Sequence, residues 1–331
     1  MSGDIPHPRS VFDLLGGSVV ERAFLDALDR GRLHHAWLLV GPEGVGKATF
    51  AYRAARRLLG AAPDPTSGLL GARSDDPVCR QIMALAHPDL LVLQRHTEDG
   101  KPRRGIPVDE ARALPEFFAK SPASAPYRVA IIDSADDLNA NAANAVLKTL
   151  EEPPERGVLL LVSHAPGGLL PTIRSRCRRL RFEAPPTDLA LPWVAERAGI
   201  GEDPAGRLLA MAQNAPGRAW RLAAAGALEA DDQARALLSN LPKTDEAAVM
   251  ALAESFRHPA GGEKFNLFFN RLADNIHQMA RTAVTSGEGR GLDPWAEVWE
   301  FVNALPRSVE AVNLDRADAF LTALGRLRAI A

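Results

Sequence analysis

Short apolar runs alternate along the first half of the chain with stretches in which apolar side chains recur every three or four residues. The runs predict buried strands, and the spaced stretches predict helices with one apolar face. The strands are expected at 37–40, 90–93, 128–133 and 158–162, with a fifth inside the arginine-rich stretch 172–182. Strands separated by helices are typical of a parallel α/β sheet, which we expect to end near residue 182.

The helix predicted at 141–152 shows its spacing most clearly. Its apolar face consists of Ala143, Val146, Leu147 and Leu150, at i, i+3, i+4 and i+7. Two prolines at 153 and 154 end it. Further helices are expected near 20–30, 49–59, 79–86 and 106–120, and the polar stretch 94–105 predicts a surface loop.

Beyond Pro185 and Pro186 no further strand of convincing length is present, and the pattern predicts helices to the end. Arg218 opens a helix that runs to about 225, and a separate helical unit is expected from 226. This unit should contain helices at about 265–279 and 314–330. One face of the first carries apolar side chains that indicate a core stripe rather than a cofactor site: Phe268, Phe269, Leu272 and Ile276.

Composition places the chain among ordinary globular proteins, with 46% hydrophobic and 24% charged residues. A length of 331 residues suggests about two domains, or three small ones. The net charge of −2 gives no overall signature of a nucleic-acid binder, so any such contact needs a local basic patch or a partner.

The first ten residues are polar, unlike a secretion signal, and no apolar run approaches the roughly 18 residues of a membrane span. We therefore expect a cytoplasmic protein without membrane contact. The two cysteines, Cys79 and Cys177, are far apart and belong to no C-x-x-C pair, so zinc is not expected and each is interpreted as a small buried apolar residue.

The strongest chemical signal is the stretch GPEGVGK, which follows the strand 37–40 directly. Gly41, Gly44 and Gly46 allow the backbone N–H groups to curl around a phosphate, and Lys47 adds a positive charge. The motif G-x-x-x-x-G-K-[S/T] is met except at Ala48, where a hydroxyl would help to hold Mg²⁺. The alternative is a tight connection between a strand and a helix.

A carboxylate, Asp133, stands at the end of the strand 128–133. In a parallel sheet it would share the edge that carries the phosphate loop, where it could hold Mg²⁺-bound water in the Walker B role. The alternative is a solvent-facing aspartate in a turn.

Four segments, GPEGVGK, VAIIDSAD, NAANAVLKTLEEPP and TIRSRC, occur in this order. Together with GRLHHAWL and 106–133, they resemble the bacterial clamp-loader subunits of the AAA+ superfamily, over residues 11–226. The resemblance implies a RecA-like α/β domain with a parallel sheet at 1–182, a small helical lid at 183–226 and an all-α collar at 227–331.

The same resemblance implies roles for individual residues. Arg176, in the SRC motif, corresponds to the arginine finger that acts in trans on a neighbour's ATP. Ser163 matches the sensor 1 position and Arg218 the sensor 2 arginine of the lid. The expected nucleotide-binding set is therefore Gly41, Gly44, Gly46, Lys47, Thr49, Asp133, Ser163 and Arg218.

Departures from the family pattern indicate a weak catalytic site. Ser134 stands where active members carry an acid that positions water, and Asp136, two residues on, would aim elsewhere. Thr49 points about 100° away from the position of Ala48 on the helix. We therefore expect ATP or ADP to bind without hydrolysis, with little support for Mg²⁺. The family's cysteine-rich zinc module is absent, with Cys79 as its remnant.

The implied partners are motor (gamma/tau) subunits and a delta subunit in a heteropentamer, the sliding clamp, and primed DNA through the complex. The basic stretch 174–181 could face DNA or a neighbouring subunit. Two alternatives are a self-sufficient AAA+ ATPase, such as the motor subunit, and a P-loop kinase or transferase. Ser134 and Ala48 count against the first, and the SRC and LEEPP motifs have no role in the second.

Overall fold

The computed structural model describes residues 5–95, 97–98, 101–102, 105–259, 261–285 and 293–330. The chain forms two compact units, Met1–Trp220 and Arg221–Ala331. This division falls inside a helix, Pro216–Ala224. The three-domain boundaries expected after residues 182 and 226 remain a prediction.

The first unit is built on a parallel sheet. The strands, in chain order, are β1 (Ala36–Val40), β2 (Leu90–Gln94), β3 (Thr97–Glu98), β4 (Lys101–Pro102), β5 (Arg128–Asp133), β6 (Gly157–Ser163) and β7 (Arg178–Arg181). Five of them form one sheet in the order β2-β5-β6-β1-β7, and each neighbouring pair is parallel. The predicted five-stranded parallel sheet is confirmed.

The loop predicted at 94–105 is partly wrong. Residues 97–98 and 101–102 pair as a small antiparallel hairpin, β3 with β4, and Gln94 belongs to β2. Residues 96, 99–100 and 103–104 of the predicted loop lie outside the described residues.

Helices cover both faces of this sheet. They are α1 (Ser18–Asp29), α2 (Lys47–Leu58), α3 (Pro77–Met83), α4 (Val108–Ala119), α5 (Ala140–Glu151) and α6 (Pro171–Arg176). In β1, Trp37 and Leu39 pack with the core under α1 and α2, whereas Leu38 packs with the core under α4 and α5. Because successive strand residues face opposite layers, a strand covered on both faces must be apolar throughout, which explains the apolar runs.

A buried ion pair joins α1 to α2. Arg53 Nε lies 2.6 Å from Glu21 Oε1, and their side chains are 1% and 4% exposed. Glu21 Oε2 also accepts a hydrogen bond from the Leu70 backbone N–H (3.3 Å), and Arg53 Nη2 donates to the Ser67 carbonyl (2.7 Å). The pair therefore fixes the helix that begins at the phosphate loop.

Beyond the sheet, the described residues form helices alone. The first unit adds α7 (Thr187–Ala198) and α8 (Glu202–Met211), and α9 (Pro216–Ala224) spans the boundary. The second unit contains α10 (Ala227–Ser239), α11 (Glu246–Arg257), α12 (Gly261–Thr285), α13 (Asp293–Val312) and α14 (Arg316–Ile330). The predicted helical C-terminal region is confirmed.

A cluster of phenylalanines forms the centre of the second unit. Phe256 of α11 and Phe320 of α14 pack against three aromatic residues of α12, with ring centroids 4.5–6.4 Å apart: Phe265, Phe268 and Phe269. Leu272 and Ile276 continue this buried face. The apolar stripe predicted from the sequence is thus part of a buried core. Burial of aromatic side chains of this kind supplies much of the stability of a small helical unit.

Candidate functional site

The phosphate loop leaves the carboxyl end of β1 and leads directly into α2, which begins at Lys47. Gly44 and Gly46 have φ angles of +85° and +94°, values that side-chain-bearing residues rarely adopt. A Cβ at Gly46 would lie 2.4 Å from Leu14 Cδ1. Glycine is therefore required both by the turn and by the residues that close around it.

Lys47 is 2% exposed and lies within the loop. Its Nζ donates to the carbonyl oxygens of Gly41 (2.6 Å) and Pro42. The ammonium group and the N-terminus of α2 together create a positive environment that suits a phosphate. The residues present therefore fit a nucleotide's phosphate chain.

The first turn of α9 reaches the same loop. Gly217 donates its backbone N–H to the Gly44 carbonyl (2.9 Å), and a Cβ built on Gly44 would lie 2.3 Å from the Arg218 backbone N. The fold thus brings Arg218, expected from the resemblance at the sensor 2 position, next to the phosphate loop. The contacts of Leu14 and Gly217 with the loop carry no sequence signal that would have revealed them.

Asp133 and Ser163 share this edge of the sheet. In the strand register, Asp133 lies opposite Val162, and Ser163 lies opposite Val40, the last residue before the loop. Neighbouring strands are about 4.8 Å apart, so Asp133 is roughly two strand spacings from β1. The expected placement of Asp133 on the edge that carries the phosphate loop is confirmed.

Ser134 and Asp136, which follow β5, both form hydrogen bonds with other groups of the protein. Ser134 is 6% exposed, and its hydroxyl lies 2.9 Å from Asp137 Oδ2, capping a short helical turn. The Asp136 carboxylate accepts hydrogen bonds from the Ser163 hydroxyl (2.8 Å) and from the backbone N–H groups of His164 (2.6 Å) and Ala165 (3.3 Å). Asp136 therefore faces the loop after β6, and at the water-positioning place the chain offers only a hydroxyl.

The donor set for a metal ion is correspondingly small. Ala48 and Thr49 lie in the first turn of α2, both half-buried, about 100° apart around the helix axis. Of the two carboxylates in the segment VAIIDSAD, Asp136 is held by the loop after β6, which leaves Asp133 at the end of β5. Mg²⁺ prefers near-octahedral oxygen coordination. These residues fit a phosphate better than they fit a tightly held Mg²⁺.

Arg176 lies at the amino end of the strands, opposite the carboxyl edge that carries the phosphate loop. It is the last residue of α6, two positions before β7, and β7 begins level with Trp37, four positions before Gly41. At about 3.3 Å per strand residue, this separates Arg176 from its own phosphate loop by roughly 15–20 Å. Its side chain is 37% exposed.

Within the described part of its own subunit, the Arg176 guanidinium has two partners. Nη2 lies 3.0 Å from Glu151 Oε1, at the end of α5, and Nη1 donates to the Thr172 carbonyl (3.1 Å). Sequence reasoning singled out Arg176 but missed Glu151, although both lie in the motifs that carried the resemblance.

The neighbouring arginines belong to the edge strand β7. Arg178, Arg179 and Arg181 are exposed, and the Arg178 guanidinium carbon lies 4.8 Å from the centre of the Trp37 ring. Charged side chains on an edge strand also prevent unwanted strand pairing, so this basic stretch has a structural explanation in addition to any binding role.

Both cysteines are buried, as expected. Cys79 packs in a small apolar cluster with Ala61 and Ala72, and burial raises its pKa to about 11; burial likewise raises the pKa of Cys177 to about 12. A single thiol among apolar side chains lacks the ligands of a tetrahedral zinc site. Within the described ranges no group of three or more His, Cys, Asp or Glu residues could hold a metal ion, and no described helix could cross a bilayer.

The predicted site residues thus fall into two groups. The carboxyl edge of the sheet gathers Gly41, Gly44, Gly46, Lys47, Thr49, Asp133, Ser163 and Arg218. Arg176 stands alone at the opposite edge. A phosphate loop on a five-stranded sheet of this order, followed by helices of which one contacts the loop, defines a P-loop protein of the AAA+ class.

Comparisons with known proteins narrow this class. Residues 18–186 match the family described as DNA polymerase III, delta subunit. A delta' subunit of DNA polymerase III from Pseudomonas aeruginosa is 37% identical over 306 residues, which is 91% of this chain and 85% of that protein. The chain belongs to the family of DNA polymerase III delta' subunits.

Two more distant similarities concern gamma subunits. A gamma/tau subunit from Mycobacterium tuberculosis is 33% identical over 206 residues, covering 60% of this chain but 33% of that protein, so the chain spans one third of it. A crystal structure of a gamma subunit-related protein from Thermotoga maritima has a TM-score of 0.50 at 19% identity, covering 92% of this chain and 99% of the other. The latter shows a shared fold.

Proposed function

We propose that this protein is the delta-prime component of the clamp loader of DNA polymerase III, and that it supplies Arg176 to the ATP site of a neighbouring subunit. Together with gamma/tau motor subunits and a delta subunit in a heteropentamer, it would load the sliding clamp onto primed DNA during replication. The observation that supports this proposal most strongly is the position of Arg176, which is partly exposed and lies at the end of the sheet opposite its own phosphate loop.

The chemistry of the guanidinium supports action in trans. A planar cation that donates several N–H bonds can neutralise charge that develops on a transferring phosphoryl group. Such an arginine increases the rate of hydrolysis by about 10³- to 10⁵-fold in P-loop enzymes. Because roughly 15–20 Å separate Arg176 from the loop of its own subunit, only a second subunit could bring a phosphate to it.

The protein's own phosphate loop would bind ATP or ADP without hydrolysing it. The loop and Lys47 retain the phosphate-binding geometry, whereas Ala48 lacks the metal-binding hydroxyl and Ser134 lacks a carboxylate. Asp136 is held by Ser163 and the following backbone. These features favour a silent ring member over a self-sufficient ATPase, with Mg²⁺ contributing little and no zinc involved.

The remaining parts of the chain would serve assembly. We assign oligomerisation to the all-α unit from residue 227 as a collar, and we regard 183–226 as a lid. The exposed arginines of β7 adjoin Arg176, so a neighbouring subunit or primed DNA held by the complex could contact them.

The test is ATP turnover by a loader reconstituted from gamma/tau, delta and this protein, with clamp and primed DNA present. The variants are Arg176→Ala and, as a matched control, Arg80→Ala, an exposed arginine of α3 to which no contact with a partner is assigned. We expect Arg176→Ala to reduce turnover towards that of a mixture lacking this protein, with Arg80→Ala close to wild type.

Two results would contradict the proposal. If turnover and clamp loading with Arg176→Ala equal those of the wild type, Arg176 does not act on the ATP site of a neighbouring subunit. Robust hydrolysis by the isolated protein, independent of partners, would mean that it is an ATPase in its own right.

A further inference from the structure

The Arg176 guanidinium is held from two directions inside its own subunit. Glu151 Oε1 lies 3.0 Å from Nη2, and the Thr172 carbonyl accepts from Nη1 (3.1 Å). The carbonyl belongs to α6 itself, one helical turn earlier, whereas Glu151 is the last residue of α5. Two contacts with different elements restrict both the plane and the direction of the guanidinium.

These contacts leave donors for a phosphate. A guanidinium has five N–H groups, and the two contacts require one N–H each. The other three N–H groups make no further contact among the residues that the structure describes, and the side chain is 37% exposed, so a partner's phosphate could be bound while Glu151 stays in place.

We propose that Glu151 is a positioning residue for Arg176: it fixes the guanidinium in the orientation that meets the neighbouring subunit's nucleotide. This inference rests on the proposed trans role of Arg176. The physical basis is pre-organisation, because a long arginine side chain that is already ordered loses less freedom when the transition state forms.

The expected size of the effect follows from the exposure of the pair. The Glu151 and Arg176 side chains are 51% and 37% exposed, and an ion pair at this level of exposure is weak. Loss of Glu151 should therefore lower the turnover that depends on this subunit by roughly two- to fivefold, far less than loss of Arg176 itself. The effect should appear in kcat with the KM for ATP unchanged, since Glu151 orients the arginine without binding nucleotide.

The chain provides a matched control in the next residue. Glu152 is also exposed and follows the end of α5, but its carboxylate forms no ion pair with the part of the chain that the structure describes. Glu151→Ala and Glu152→Ala remove the same charge from the same surface. Only the first removes the contact with Arg176.

The experiment measures kcat and KM for ATP in the reconstituted loader with clamp and primed DNA. The variants are Glu151→Ala, Glu151→Gln, Glu152→Ala, Arg176→Ala and the double variant Glu151→Ala/Arg176→Ala. We expect a lower kcat for Glu151→Ala, partial recovery with Glu151→Gln, which keeps an acceptor oxygen, and wild-type values for Glu152→Ala. In the Arg176→Ala background, Glu151→Ala should have no further effect.

The outcomes separate this inference from the proposed function. If Arg176→Ala is without effect, the proposed function fails and this inference fails with it. If Arg176→Ala impairs turnover but Glu151→Ala equals Glu152→Ala, only the positioning role is refuted. An increased kcat in Glu151→Ala would show that the pair restrains the arginine, and a further loss in the double variant would show that Glu151 acts by another route.

Discussion

Replacement of the buried ion pair between α1 and α2 should have a large and strongly non-additive effect on stability. Arg53→Met removes the cation and Glu21→Leu removes the anion, each replaced by an apolar side chain that fills part of the same space. Either single substitution leaves one charge in a place that is 1–4% exposed. The double variant leaves neither.

The structure sets the expected magnitudes. Breaking one partner of a buried pair costs about 3–5 kcal/mol, because the remaining charge stays desolvated. In the double variant the Leu70 N–H and the Ser67 carbonyl still lose their bonds to Glu21 and Arg53. Only Leu70 is buried, whereas Ser67 is half-buried and can bond to water instead, so the expected cost is about 1–3 kcal/mol. The two single costs would add to about 6–10 kcal/mol, so the coupling energy should be at least about 3 kcal/mol.

Urea unfolding of the isolated protein, followed by circular dichroism, measures these free energies. With a slope of about 2–3 kcal/mol per M, each single variant should lower the unfolding midpoint by about 1–2 M. The matched control is Asp75→Ala, which breaks an ion pair of similar length (2.9 Å to Arg73) whose side chains are 56% and 70% exposed. That change should leave the unfolding midpoint close to that of the wild type, because solvent screens an exposed pair.

Additive costs in the double variant would refute the reasoning, as would single costs no larger than that of the exposed control. Either result would mean that water reaches the pair in solution. Because α2 begins at Lys47, the single variants should also weaken the nucleotide binding that we propose for the phosphate loop.

Three further predictions concern buried groups and the loop. Asp89 is buried, and although burial raises its pKa, hydrogen bonds from the N–H groups of residues 123–125 and the charge of Arg128 leave that pKa below its ordinary value. The stabilisation by Asp89 is therefore fully present above the unfolded pKa of about 3.9 and is lost as the pH falls through the lower pKa of the folded state. Asp89→Asn should accordingly be less stable than wild type at pH 7, and the difference in urea titrations should shrink as the pH is lowered below that unfolded pKa. Cys79 and Cys177, with pKa values of about 11 and about 12, should react slowly with a thiol reagent at pH 7.5 and fast in denaturant; equal rates would contradict their burial. Gly44→Ala should cost about 1–3 kcal/mol, because φ is +85° and the new Cβ would meet the backbone of Arg218, whereas Gly167→Ala, with no atom within 4 Å, should be neutral in the same thermal unfolding assay.

Local pattern was enough to predict most of the sheet. The strand Arg128–Asp133 and the helix Ala140–Glu151 lie within one residue of their predicted bounds. Burial of one or two faces of an element requires apolar residues at regular spacings, and these spacings can be recognised in the sequence. The hairpin β3-β4 was missed, since two-residue strands carry no periodicity.

The phosphate loop and Asp133 were predictable for a different reason. The loop is continuous in sequence, and the carboxyl ends of parallel strands share one edge, so topology alone brings Asp133 and Lys47 to the same side. Arg218 was included in the site because of the resemblance, whereas the contact of Gly217 in α9 with this loop was not predicted.

The sequence by itself therefore determined the class of fold, the phosphate-loop motif and the lack of a hydroxyl at Ala48 and of a carboxylate at Ser134. Only the tertiary structure decided that Asp136 bonds to Ser163, that Arg176 stands at the far edge of the sheet, and that Glu151 holds it. The physical reason is the distance along the chain over which a sequence pattern is informative. Periodicity and motifs describe how a residue relates to its near neighbours, whereas these pairs join residues some 25 positions apart. Their contact depends on how whole helices and strands pack.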